Sequence, residues 1–178
     1  MYRFFIDFKQ IKGNTIKILG KDVKHIKDVL RLRPKDKIEV VCEGYVYLTE
    51  IIDINSNYVI TDIVNGYLGE NEPPIDIILY QGIAKGDKMD FIIQKGTEIG
   101  IKEFYPIMTN RTVVKIKDKK KEENRLKRWR GIAEEAAKQS KRDILPIVRN
   151  IMNFNEMIDL LKYKKNIIVP YEMEKTQD

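Results

Sequence analysis

Short runs of alternating apolar residues fill the first third of the chain. Arg3–Phe8, Asn14–Leu19, Lys37–Cys42, Tyr45–Ile54 and Tyr58–Val64 are rich in Ile, Val, Tyr and Phe and predict strands. Glu43-Gly44 suits a hairpin turn between two of them. One helix interrupts this region, with Asp22 as its N-cap and Val23, Ile26, Val29 and Leu30 on one face. Many short strands and a single helix predict a small β-barrel over residues 1–70. The segment Glu70-Asn71-Glu72-Pro73-Pro74 continues neither a ladder nor a helix, so residues 71–74 are expected to link two domains.

Beyond that point the period lengthens. Strands are expected at Ile75–Tyr80, Glu103–Met108, Leu145–Val148 and Ile167–Pro170. Helices are expected over Asp87–Gly100, over Lys119–Ser140 and from Asn153 onward, where Glu156 completes a capping box. Gly96 lies on the apolar face of the first of these helices, where close packing would explain its helix-weakening presence. Gly100 suits the residue just past the helix end. Strands alternating with helices predict an α/β domain with a mainly parallel sheet over residues 75–178.

Charge then narrows the function. The 178 residues hold 33 Lys and Arg against 27 Asp and Glu, a formal charge of +6. That balance favours a polyanionic partner, nucleic acid first. A single cysteine, Cys42, excludes an intrachain disulfide and reads as a small buried hydrophobe. The start carries no apolar leader and no run is long enough to span a bilayer, so a cytoplasmic protein is expected. His25 is the only histidine, which excludes a zinc site in practice. Neither GxGxxG nor GxxxxGK[ST] appears, so a dinucleotide or P-loop site is unsupported.

Three stretches could carry chemistry. Ala84-Lys85-Gly86-Asp87-Lys88 enters a helix, where backbone amides and two lysines could cradle an anion; spacing alone favours an ordinary helix capped by Asp87. Arg111 follows a strand of an open α/β sheet, at the end where ligands bind, and could hold a phosphate or a developing oxyanion. From Arg111 to Arg130 there are ten basic residues against Asp118, Glu122 and Glu123, which suits phosphate contact or a solvated helix face. Trp129 falls on the apolar stripe of the same helix and is expected in the core.

Five segments together carry a resemblance: MYRFF (1–5), KHIKDVLRLRPKD (24–36), KGDKMDFIIQKGTEIGIKEFYPIMTNRTVVK (85–115), RW (128–129) and EEAAKQSKR (134–142). Across nearly the whole chain the sequence resembles the RsmE-type 16S ribosomal RNA uridine-N3 methyltransferases of the SPOUT superfamily. Gly96 departs from the alanine more usual there. The resemblance implies a PUA-like RNA-binding barrel followed by a trefoil-knot α/β methyltransferase domain. It also implies S-adenosylmethionine as methyl donor, 16S ribosomal RNA in the small subunit as substrate, and a homodimer. Its cofactor loops would fall beyond residue 178, with Pro170 and Tyr171 at their edge. On that basis the chain is expected to stop before the knot is complete and to be inactive alone. Arg111 is the expected catalytic group, and Arg3, Arg31, Arg33, Lys85, Lys88, Arg128 and Arg142 are the expected RNA grip. The remaining alternative is a non-catalytic RNA-binding protein acting in ribosome assembly.

Overall fold

The structure is a computed structural model and describes residues 1–109 and 119–170. Its first sheet is six-stranded and curled, formed by β1 (Arg3–Phe5), β2 (Ile11–Lys12), β3 (Thr15–Leu19), β4 (Lys37–Cys42), β5 (Tyr45–Ile54) and β6 (Tyr58–Leu68). The strand order is β1-β4-β5-β6-β3-β2, with β1 parallel to β4 and every other pair antiparallel. β-Bulges in β5, between Leu48 and Thr49 and between Ile51 and Asp53, bend the long β5–β6 ribbon. Alternation along the strands sends Phe4, Ile16, Ile18, Ile38, Val40, Ile51 and Val59 into one dry core. Val23 and Ile26, from the helical segment, close it.

That segment departs from expectation. α1 (Lys21–Lys24) begins after Gly20, not Asp22, and continues as a π-helical turn over His25–Val29. Asp22 lies inside the helix, where its buried carboxylate accepts a hydrogen bond from Lys138, far away in sequence. The first strand also ends early, at Phe5. Asp7 and Gln10 form a reciprocal cap around the 3-10 turn Phe8–Gln10 and draw the backbone out of the ladder.

The second sheet is parallel. β7 (Ile78–Gly82) pairs with β8 (Glu103–Met108), and along the other edge of β8 lie β9 (Ile147–Val148) and β10 (Met152–Asn153) in succession. α2 (Lys88–Glu98) and α3 (Lys119–Gln139) share a core with β8 and β9 through Met89, Ile93, Phe104, Leu126, Trp129, Ala133 and Val148. Trp129 is buried, as its position on the stripe demands. α4 (Phe154–Leu161) starts at the expected box: the Asn153 side chain accepts from the Glu156 N–H, and the Glu156 carboxylate accepts from the Asn153 N–H. β7 begins three residues later than the sequence predicts, because Ile75 is exposed past the two prolines. Ile167–Pro170 is not a strand; Ile168 and Val169 are exposed and unpaired.

Candidate RNA interface and the seam behind it

Segment 69–72 and the end of α3 meet in a network of buried charge. Arg142 is 3% exposed. Its Nε donates to both Glu72 carboxylate oxygens at 3.0 Å and its Nη2 donates to Oε2 at 2.5 Å. Its Nη1 donates to the carbonyls of Thr97 (3.0 Å) and Ile101 (2.9 Å), just where α2 ends. Glu72 Oε1 also accepts the backbone N–H groups of Asp143 (2.8 Å) and Ile144 (3.0 Å).

Arg3, on β1, reaches the same corner from the other sheet. Its Nε donates to Glu39 at 2.9 Å, and its Nη1 to Asp143 Oδ1 (2.7 Å) and to the carbonyls of Lys141 (2.6 Å) and Arg142 (2.9 Å). The other oxygen of Asp143 accepts the Asn71 N–H at 2.8 Å. Gly69 passes so close that a Cβ there would fall 2.1 Å from Asp143 Cγ. A fork of donors matched by carboxylates and carbonyls is what a buried guanidinium requires.

A second knot of charge ties α1 to α3. Lys138 Nζ donates to Asp22 (2.8 Å) and pairs with Glu134 (2.9 Å), while Lys21 holds the other Glu134 oxygen at 2.5 Å. Burial opposes ionisation of Glu134, but the hydrogen bonds from Lys21 and Lys138 outweigh it and hold the carboxyl below its ordinary range. Glu39 behaves likewise: burial raises its pKa, and the bonds from Lys141 and Arg3 bring it below normal. Burial also opposes the charge on Lys138, yet Asp22 and Glu134 raise its pKa above normal.

The expected RNA-binding residues therefore divide. Arg3 and Arg142 are interior: every nitrogen of the Arg142 guanidinium donates to Glu72 or a backbone carbonyl, and Nε and Nη1 of Arg3 donate to Glu39, Asp143 and carbonyls. Arg31 and Arg33 are exposed in the turn after the π-helical segment, Arg31 with a positive φ of 54°. Lys85 and Lys88 are exposed around Gly86, at the start of α2. Asp87 occupies the N-cap position without a capping bond from its side chain, which instead faces Arg128 at 3.5 Å. Arg128 pairs with Asp90 as well, while its side chain stays largely exposed. Pro170 is exposed. Arg111 and Tyr171 lie outside the described residues.

Sequence reasoning missed Glu72 and Asp143 altogether. Glu72 sat in a segment read as a linker, and Asp143 directly follows the last resemblance segment. Asp143 at least adjoins Arg142 in sequence, whereas Glu72 has no arginine near it. Among the described residues no group of His, Cys, Asp and Glu could hold a metal ion, and no helix is long and apolar enough to cross a membrane.

A curled sheet with exposed cations after its helical segment meets a parallel α/β sheet through ion pairs, an arrangement in two parts. Family models agree with both parts: an RNA methyltransferase PUA domain matches residues 18–64 and an RNA methyltransferase domain matches residues 71–178. The ribosomal RNA small subunit methyltransferase E of Bacillus subtilis is 35% identical over 99% of this chain and 70% of its own length. That of Mesomycoplasma hyopneumoniae is 30% identical over 98% of this chain and 73% of its own. A crystal structure of the Neisseria gonorrhoeae protein of the same name, bound to S-adenosyl methionine, superposes with a TM-score of 0.79 at 30% identity, covering 89% of this chain and 65% of that one. The chain belongs to the ribosomal RNA small subunit methyltransferase E family.

Proposed function

We propose that the protein transfers a methyl group from S-adenosylmethionine to N3 of one uridine in the 16S RNA of the small ribosomal subunit. The observation that carries this reading is the match to rRNA small subunit methyltransferases from end to end of the chain. Residues 1–70 serve as the RNA-gripping unit and residues 75–178 as part of the catalytic one. Action in the cytoplasm and as a homodimer belongs to the same reading.

S-adenosylmethionine supplies the electrophilic methyl carbon. The described residues do not complete a cradle for it. At the carboxyl ends of β8 and β10 the space beside Met108, Thr109 and Phe154 is open. Of the polar groups there, Asn153 and Glu156 are engaged with each other and Asp159 with Lys162.

The chain's own part is therefore argued on the RNA side. Uridine N3–H is a weak acid, and its loss leaves charge on the uracil carbonyl oxygens, which a nearby cation stabilises. Arg111, following β8 in sequence, is assigned that role or the neighbouring phosphate. Arg31, Arg33, Lys85 and Lys88 hold the backbone so that the uridine, out of its stack, meets the methyl group in line.

The test is the N3-methyluridine content of 16S rRNA, by mass spectrometry, in cells lacking the gene. The modification should vanish and return with the wild-type gene. An unchanged modification refutes the reading. Restoration by Arg111→Ala to the wild-type level, with the wild-type single-turnover rate, removes Arg111 from the site.

A further inference from the structure

Where the curled sheet meets α3 there is a crevice of about 530 Å³. Tyr2 and His25 wall it on one side, and Glu135, Lys138 and Gln139 on the other. Its volume lies in the range of sites that take small organic groups.

The cationic side chains around it are paired with carboxylates. Arg3 is held by Glu39 and Asp143, Lys138 by Asp22 and Glu134, and Lys141 by Glu39 and the Met1 carbonyl. A phosphate entering here would meet Lys138 and Lys141 already paired with carboxylates, beside the α-ammonium of Met1.

The groups left over are of another kind. The Tyr2 ring is half exposed. The His25 imidazole meets Phe4 edge-on, with ring centres 6.2 Å apart. The side chains of Tyr2, His25 and Gln139 make no hydrogen bond among the described residues. An aromatic face, an imidazole and a free amide are what a nucleobase needs: a surface to stack on, and donors and acceptors for its edge. Outside the crevice the same helical segment exposes Lys24 and Lys27, cations of the kind that contact phosphates.

We propose that this interdomain crevice is a subsite for one unstacked base of the RNA substrate. The proposal rests on the methyltransferase reading only for the identity of the RNA. Because both halves of the molecule form the walls, a base seated there registers the RNA against the grip and the catalytic sheet together.

The test is equilibrium binding of protein-free 16S rRNA, without cofactor, over a series of salt concentrations. The variants are the full chain carrying Tyr2→Ala with Gln139→Ala, and Tyr2→Phe alone. Both positions are exposed, and thermal unfolding verifies that the variants are folded. The double variant should bind about tenfold more weakly at every salt concentration, the loss expected for one stacked base. The slope of log K against log salt should not change, because no phosphate contact is removed. Tyr2→Phe keeps the ring and should bind like wild type.

Unchanged affinity of the double variant overturns the proposal. So does a loss accompanied by a shallower salt slope, which would make the crevice a phosphate site. Methylation is read separately. If wild type binds with this pattern but methylates nothing, the catalytic reading fails and the subsite stands. If wild type methylates and the double variant binds normally, the subsite fails alone.

Discussion

Arg3 and Arg142 contrast with Arg31 and Arg33. All four lie in segments that resemble one RNA-modifying family, and all look alike as sequence. In the fold, the first two are buried with their donors on Glu39, Asp143, Glu72 and backbone carbonyls, and the second two are exposed. Basic residues of these segments are thus of two sorts. One sort is bound to carboxylates and carbonyls where the two sheets meet, and the other faces solvent. Partner carboxylates distant in sequence decide between them, Glu72 lying 70 residues from Arg142.

The sharpest way to break the contrast is at Arg142. Arg142→Ala takes the guanidinium from the part-buried Glu72 and the donor from the buried Thr97 and Ile101 carbonyls, and should cost about 2–4 kcal/mol. Urea denaturation measures it, and a loss under 1 kcal/mol would mean the seam is not held there. Arg142→Lys should recover only part of the loss, since an ammonium cannot fork to Glu72 while reaching the Thr97 and Ile101 carbonyls.

The next effect is steric and lies in the catalytic half. A Cβ at Gly96 would sit 2.7 Å from Phe104 Cε1 and 2.8 Å from Ile101 Cδ1. Alanine gains about 1 kcal/mol of helix propensity, but overpacking against a fully buried ring costs about 1–3 kcal/mol. The clash should win, with Gly96→Ala net destabilising by about 1 kcal/mol. A rise in Tm would show that Phe104 yields freely.

Acid should produce the smallest effect. Glu39 and Glu134 have pKa values below normal in the folded state. Their contribution is present above the unfolded carboxylate value and is lost as pH falls through about 4 and below. Lys138, with its pKa raised, adds stability that persists until pH rises past about 10.5. Glu39→Gln should flatten the acid limb of a plot of stability against pH. An unaltered limb would remove Glu39 from that balance.

Several local signals hold in the fold. β4, β5 and β8 have the predicted bounds, the Asn153–Glu156 box starts α4, and Gly100 follows α2 with φ +101°. These depend on neighbours within a few residues. What was misread depends on partners far along the chain: Asp22 looks like a cap until Lys138 is seen beside it, and segment 71–74 looks slack until Arg142 grips Glu72. Ile167–Pro170 has the composition of a strand, and composition does not supply the neighbour a strand pairs with.

The division between seam and grip is tested most directly by the salt dependence of rRNA binding in a variant carrying Arg31→Ala, Arg33→Ala, Lys85→Ala and Lys88→Ala. Each lost phosphate contact should reduce the slope of log K against log salt by roughly 0.7–0.9. The account predicts a slope shallower by about 3–4 with thermal stability near wild type. A slope equal to that of the wild-type protein would contradict it.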